Sequence, residues 1–322
     1  MRIQIVSPSS SLKRTGNRAT SAQWAELLTE LGHEVTNTTT YKPGPVDLLI
    51  ALHAERSFRP IEKYRKEHPD GPLIVGLGGT DIYPTVTPTG HRSMEMADAL
   101  IALQDKAVEQ VPIAYQGKVH VIIQSAQPAA NPRPKSTRYF DICVVGHLRD
   151  VKDPMLAAWA SRDLPNDSTI RIRHAGGILD SKYESIVSVE RNINPRYDWL
   201  GELSGDDTAR LISSCHAMIL SSHSEGGARV VGEAIVNGTP PLSTHIDGIV
   251  GLLGEDYPGY FPVGDDHKLA ELMYRLETDT EFRDQLHTVI KEKAPRFSRE
   301  LEKESLDQLV NNVVQRNTQR NT

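Results

Sequence analysis

The feature that most constrains this chain is a short apolar run, rich in leucine and β-branched residues, that keeps returning. Arg2–Val6 (RIQIV), Val46–Leu52 (VDLLIAL), Leu73–Leu77 (LIVGL), Ala99–Leu103 (ALIAL) and Val119–Ile123 (VHVII) all have this character. Runs apolar on both faces fit parallel strands buried between helices. Parallel strands need crossovers, and Ala22, Ala25, Leu28 and Leu31 recur at helical spacing, widened by Trp24 and Leu27. Gly32 ends that helix as a C-cap, and His33–Val35 re-enters extended structure. Strands alternating with helices predict a doubly wound α/β sheet.

The pattern halts at residues 127–137 (QPAANPRPKST), a polar stretch with three prolines that reads as a linker. It then restarts. Asp141–Val145 (DICVV), Thr169–His174 (TIRIRH) and Ala217–Leu220 (AMIL) read as strands, with helices near Pro154–Ser161, Ser204–Ser214 and Gly227–Asn237. Two Rossmann-like domains are expected, 1–128 and 138–299, and 322 residues suffice for two cores at roughly 150 residues each. Their sheets should face each other across a cleft, with ligand outside the carboxyl ends of the strands. Leu306, Leu309, Val310, Val313 and Val314 form a late apolar stripe that needs a surface to cover it.

Composition removes other classes. The 36 Lys and Arg against 42 Asp and Glu give a net charge of -6, so no overall basic field exists for nucleic acid. No apolar run reaches the roughly 20 residues that span a bilayer, and the N-terminus is too short in apolar length for a signal peptide. Cys143 and Cys215 lie inside apolar runs as small hydrophobes, without disulfide or zinc spacing. The expectation is a cytoplasmic protein with no nucleic-acid or membrane partner.

Chemistry concentrates after three strands. The richest stretch is Ser221-Ser-His-Ser-Glu225-Gly-Gly-Ala-Arg-Val-Val-Gly-Glu233. Gly226 and Gly227, followed by Ala228, let backbone approach a ligand closely, and the following helix offers free N–H groups to a diphosphate. Glu225 in the turn suits sugar hydroxyls, and Glu233, a helical turn or two further on, suits a ribose. A second stretch, Gly146–Pro154 (GHLRDVKDP), places Arg149 and Lys152 at the sheet edge, where they can clamp a diphosphate and neutralise a leaving nucleotide. Asp153 reads there as an N-cap and Pro154 as the first helical residue. The third is the loop Ser7–Thr20, where Lys13, Arg14, Gly16, Asn17 and Arg18 make a cationic helix start suited to an anion. His53 and Arg56, Thr80 and Asp81, and Gln124 and Ser125 also follow strands. Asp-x-Asp, H-E-x-x-H and G-x-S-x-G are absent, which disfavours metal-dependent sugar-nucleotide chemistry and a nucleophile elbow.

Gly146–Lys152 (G-x-L-R-x-x-K) and Glu225-x7-Glu233 followed by Ala-Ile-x-x-Gly238-x-Pro240 resemble the GT-B-fold glycosyltransferases, closest to a retaining, metal-independent group. That resemblance implies that Arg149 and Lys152 bind the diphosphate, that Glu225 lies near the donor sugar and that Glu233 binds the ribose. It implies Gly16, Gly226, Gly227 and Ala228 as donor contacts, no cofactor and no metal, and a helix, 300–316, crossing back to the first domain. Gly227 and Ala228 depart from the group's usual Phe and Gly, and Gly16-Asn17 from its Gly-Gly. Gly16–Thr20 (GNRAT), Leu48–Ser57, Gly79–Tyr83 (GTDIY), Gly146–Pro154, Asn194–Leu203, Glu225–Val231 and Gly251–Asp265 resemble more closely the SenB family of selenosugar synthases, which act in selenoneine biosynthesis. Members join selenophosphate to the sugar of a UDP-sugar, UDP-GlcNAc or UDP-glucose, forming a C–Se bond and releasing UDP and phosphate.

Selenophosphate is a small anion with a soft nucleophile that needs cations rather than a base. Lys13, Arg14, Arg18 and Arg56 are available, with Asn17, Thr20, His53, Thr80 and Asp81 as further acceptor-side residues. No residue is assigned to the loss of phosphate. The alternatives are transfer to a hydroxyl acceptor with His53 or Asp81 as base, a nucleotide-sugar 2-epimerase, and a two-domain binding protein.

Overall fold

The computed structural model describes residues 1–8 and 16–320. They divide into two units, one formed by residues up to Ser125 together with the C-terminal helix Arg299–Arg320, the other by Ala126–Ser298.

In the first unit, β1 (Arg2–Val6), β2 (Glu34–Thr38), β3 (Leu48–Leu52), β4 (Leu73–Gly76), β5 (Ala99–Ala102) and β6 (Val119–Val121) form one sheet, ordered β2-β1-β3-β4-β5-β6. Every neighbouring pair is parallel. One face, including Ile5, Ile50 and Ile74, packs on Trp24, Leu27 and Leu28 of the helix Gly16–Glu30. Leu306, Leu309, Val310 and Val313 of the C-terminal helix close the same core. Burying four aliphatic side chains contributes on the order of 6–12 kcal/mol before entropy is counted. The other face, including Leu49, Val75 and Leu100, meets Ile61, Tyr64 and Met94 from the helices Phe58–Glu67 and Pro88–Met96.

One buried carboxylate fastens the C-terminal helix. Glu302, 1% exposed, accepts from Gln23 Nε2 at 2.5 Å, Trp24 Nε1 at 3.0 Å, Ser125 N at 2.8 Å and Ser125 Oγ at 2.6 Å. At its N-terminal end, Arg299 bonds Glu26 at 2.8 Å and Glu30 at 2.5 Å.

The second unit repeats the design with β7 (Phe140–Val145), β8 (Ile170–Ala175), β9 (Tyr197–Gly201), β10 (Ala217–Leu220), β11 (Pro241–Thr244) and β12 (Tyr260–Phe261), ordered β12-β11-β10-β7-β8-β9 and parallel throughout. Cys143 and Cys215 are buried in its core with Ile212, Met218 and Ala234. Residues 127–137 form neither helix nor strand, and Ala129 N donates to Asn237 Oδ1 at 2.9 Å. No helix of the described residues is long and apolar enough to cross a membrane.

The structure corrects one local expectation. The helix expected from Pro154 begins only at Leu156, after a 3₁₀ turn over Asp150–Lys152. Asp153 closes that turn in the left-handed region, at φ 42°, so it cannot take the extended backbone of an N-cap.

Each sheet has a point where strand order reverses. The chain leaves β1 to one side for β2 and returns to the other for β3. It leaves β7 for β8 and β9, then returns to β7's opposite side with β10. The crevice outside the carboxyl ends of the strands at such a point is where open α/β sheets take ligands.

Candidate functional site

In the second unit the loops after β7 and β10 carry Arg149, Lys152 and Glu225. Because β7 and β10 are neighbours, the two loops meet: Lys152 Nζ is ion-paired with Glu225 Oε1, and Ser222 Oγ donates to the same oxygen at 2.6 Å. Both partners are largely buried, with side-chain exposures of 19% and 12%. The turn holding Lys152 is braced from three directions. Ser221 Oγ bonds the carbonyls of Lys152 and Asp153 at 2.9 Å each, and His223 N donates to Val151 O at 2.9 Å. Tyr183 OH donates to Asp150 Oδ1 at 2.8 Å, and Lys182 pairs with the same carboxylate.

Arg149 differs from Lys152. It is exposed, and its side chain makes no ion pair or hydrogen bond among the described residues. Gly226 and Gly227 follow Glu225 in the loop, and Ala228, buried, precedes the helix Arg229–Val236. Glu233 lies on that helix's second turn but is engaged, bonding Arg229 Nε at 3.0 Å.

Two contacts explain why small residues stand around this crevice. A Cβ on Gly248 would lie 2.0 Å from the Glu225 carbonyl oxygen, and one on Gly176 would lie 1.9 Å from that of Gly146. His174, behind the loop, bonds Gly146 O at 3.2 Å and Tyr197 OH at 3.0 Å, and burial pushes its imidazole down to about 4. It is therefore neutral, with Nε2 donating to Gly146. His147 is structural, accepting from Gly177 N at 3.1 Å.

Sequence reasoning missed one pair here. His223 Nε2 lies 3.7 Å from Asp153 Oδ2, and burial pushes the Asp153 carboxyl up. In the sequence Asp153 reads as an N-cap, and no spacing connects it to His223.

In the first unit, Gly16, Asn17 and Arg18 open the helix after β1, while Lys13 and Arg14 lie outside the described residues. Thr20 is buried and occupied: its hydroxyl donates to Gly16 O at 3.0 Å and accepts from Gln124 Nε2 at 2.8 Å. Ser125 is consumed by Glu302. Thr20 and Ser125 thus tie the helix start and the C-terminal helix to the end of the sheet. After β3 stands His53, and after β4 Thr80 and Asp81. His53 Nδ1 lies 2.7 Å from Asp81 Oδ1, and His53 Nε2 2.8 Å from Thr80 Oγ1. Asp81 also accepts the N–H groups of Ala54 and Glu55 at 2.9 Å and of Gly78 at 2.7 Å. Fully buried, Asp81 has both oxygens engaged by these donors, and it orients His53. Arg56 is exposed. Among the described residues, the two non-glycine residues with left-handed φ are His53 at 71° and Asp153 at 42°, one in each switch-point region.

With this geometry in view, solved structures supply the class. The chain is similar to Anabaena HepE in complex with UDP, with a TM-score of 0.75 and 14% identity over 97% of this chain and 100% of that one. Sucrose-phosphate synthase from Thermosynechococcus elongatus gives 0.75 and 15%, covering 97% and 98%. A glycosyltransferase from Rickettsia africae gives 0.77 and 13%, also covering 97% and 98%. At these identities the likeness is one of fold, the GT-B class with two parallel-sheet α/β domains. No curated protein sequence matches the chain. Residues 127–293 match the family described as glycosyl transferases group 1, and the chain belongs to that family.

Proposed function

We propose that the protein transfers the sugar of a UDP-sugar, UDP-GlcNAc or UDP-glucose, to selenophosphate without a metal, giving a 1-seleno-sugar, UDP and phosphate. The observation that carries the donor half is the junction of the β7 and β10 loops, where Lys152 meets Glu225 and the Lys152 loop also carries Arg149, unpaired among the described residues. Arg149 and Lys152 hold the diphosphate, Glu225 the sugar hydroxyls, Glu233 the ribose, and Gly226, Gly227 and Ala228 present backbone. HepE has been solved with UDP and with UDP-glucose, which supports such a donor.

The catalytic reasoning is electrostatic. As the sugar–oxygen bond breaks, negative charge gathers on the β-phosphate. A charge-assisted hydrogen bond contributes about 1.5–3 kcal/mol there, against about 0.3–1 kcal/mol from an exposed helix terminus. The two cations therefore dominate over the helix Arg229–Val236. The pairing of Lys152 with Glu225 holds both side chains in place before ligand arrives.

The acceptor half rests on the sequence resemblance and on the exposed cations Arg18 and Arg56. A hydroxyl acceptor is the second reading, favoured by the His53–Asp81 pair, which is what a base for an alcohol needs. The test is UDP release from UDP-GlcNAc and UDP-glucose, with and without selenophosphate, in EDTA, with products read by mass spectrometry. A selenium isotope pattern on a hexose or hexosamine mass supports the first reading. UDP release without a selenium product rejects it in favour of another acceptor.

A further inference from the structure

Thr80, His53 and Asp81 form a linked chain that sugar transfer to an ionised acceptor leaves unused. The Thr80 hydroxyl is 2.8 Å from His53 Nε2, and His53 Nδ1 is 2.7 Å from Asp81. Asp81 is 1% exposed, and as a carboxylate it only accepts; its 2.7 Å contact outweighs the 3.3 Å approach of the Arg56 N–H to the same Nδ1, so the ring proton sits on Nδ1 and the Nε2 lone pair faces Thr80. The left-handed backbone of His53, costing of order 1–3 kcal/mol, is retained at the position that brings the ring to both partners. His53 is 4% exposed, whereas Thr80 is exposed. The proton within reach of Nε2 is therefore that of Thr80, not of bulk water. A hydroxyl, a base and a carboxylate that orients the base, at these distances, are the parts of an activated nucleophile.

We propose that Thr80 is a nucleophile that takes the phosphoryl group from selenium after the sugar has been transferred, with His53 as base and Asp81 as its positioning residue. The proposal rests on selenophosphate being the acceptor. Sugar transfer leaves a glycosyl–Se–phosphate. Thr80 Oγ attacks phosphorus as its proton passes to His53 Nε2. The Se–P bond breaks, its electron pair stays on selenium, and the proton moves from His53 to the selenolate. Water then attacks the phosphothreonine: its proton goes to His53, the P–O bond to Thr80 breaks, and that proton returns to Thr80 Oγ as phosphate leaves. The sum is glycosyl–Se–phosphate plus water giving glycosyl selenol plus phosphate, with no oxidant or cofactor. Arg56, three residues beyond His53 and exposed, supplies a cation for the phosphoryl oxygens.

The experiment uses the full chain with UDP-GlcNAc and selenophosphate, reading UDP by chromatography and phosphorus species by NMR. In Thr80→Val and His53→Asn the ratio of phosphate to UDP should fall at least about 100-fold, and a sugar–selenium–phosphate species should accumulate. Thr80→Ser, which keeps a hydroxyl, should restore the ratio. Thr80 is on the surface, so Thr80→Val should keep the wild-type melting temperature even if substitution at His53 does not. A wild-type ratio in Thr80→Val, or equal losses of UDP and phosphate with unchanged melting, overturns the proposal. A wild-type protein that releases no UDP in response to selenophosphate overturns the acceptor reading along with it, so the two failures are distinguishable.

Discussion

Arg149 and Lys152 are cations at one strand end, yet they start from different states. Arg149 is exposed and unpaired among the described residues, so Arg149→Ala should change stability by no more than about 0.5 kcal/mol. It should nonetheless weaken UDP binding and slow turnover about tenfold to a hundredfold, the value of one charge-assisted bond. Calorimetry and kinetics returning wild-type values would remove Arg149 from the clamp. Lys152→Ala should show the same ligand loss with a lower melting temperature, because it leaves Glu225, 12% exposed, without its cation. Glu233 presents a third case. It bonds Arg229 at 3.0 Å, and in the proposed role it exchanges that partner, in whole or part, for a ribose. Glu233→Ala should weaken UDP while leaving a sugar phosphate unaffected; equal losses for both ligands contradict the ribose role.

At the scale of elements, the loops matter through what packs behind them. Gly248 opens toward the Glu225 carbonyl, where a Cβ would stand 2.0 Å away. Gly248→Ala must therefore move the Glu225 loop or the helix Asp247–Leu253, and turnover should fall at least about tenfold without any ligand contact being removed. Wild-type kcat in that variant would mean the loop's position is not critical. His174 ties β8 to the loop that starts at Gly146, and its protonation sets a pH limit. Its ordinary value near 6.5 holds in the unfolded chain, while burial lowers it to about 4 in the fold. The unfolded state therefore binds the extra proton between these values. Stability is complete above about pH 6.5 and falls by roughly 1.4 kcal/mol per unit toward pH 4, about 3 kcal/mol in all. Urea midpoints from pH 7 to 4.5 should fall less steeply in His174→Gln than in the wild type. The sequence pattern reached the elements unevenly for physical reasons. Strands such as Leu48–Leu52 and Ala217–Leu220 are apolar on both faces and stood out. Tyr197–Gly201 is an edge strand with mostly half-buried positions, Pro241–Thr244 begins with proline, and Tyr260–Phe261 has two residues, so none carried a periodic signal. Strand ends located Lys152, Glu225, His53 and Asp81. Their pairings across 73 and 28 intervening steps of chain, 152 to 225 and 53 to 81, came only from strand order.

At the scale of the molecule, the organisation predicts how the chain unfolds. Each unit closes a core of its own: the first around Trp24, Ile50 and the C-terminal stripe, the second around Cys143, Ile212 and Met218. Such units unfold as separate cooperative transitions unless an extensive interface couples them. The proposed diphosphate, sugar and ribose contacts Arg149, Lys152, Glu225 and Glu233 all belong to Ala126–Ser298, so UDP at 100 times its Kd should add about 2.7 kcal/mol to one transition and nothing to the other. Glu302 provides the opposite handle. Its four donors come from Gln23, Trp24 and Ser125, all in the first unit; Glu302→Ala leaves Trp24 Nε1, Ser125 N and the Ser125 hydroxyl without that acceptor, while Gln23 Nε2 keeps Ser125 O at 3.1 Å and Ser125 Oγ at 2.9 Å. Each orphaned donor costs about 1–3 kcal/mol, so the variant should lower the other transition by several kcal/mol while UDP affinity stays at the wild-type value. Scanning calorimetry of wild type and Glu302→Ala, each with and without UDP, reads both effects in one set of traces. If UDP and Glu302→Ala move the same transition, the two cores melt as one body, and the stripe of four aliphatic residues that completes the first core is then part of a single cooperative unit with the second.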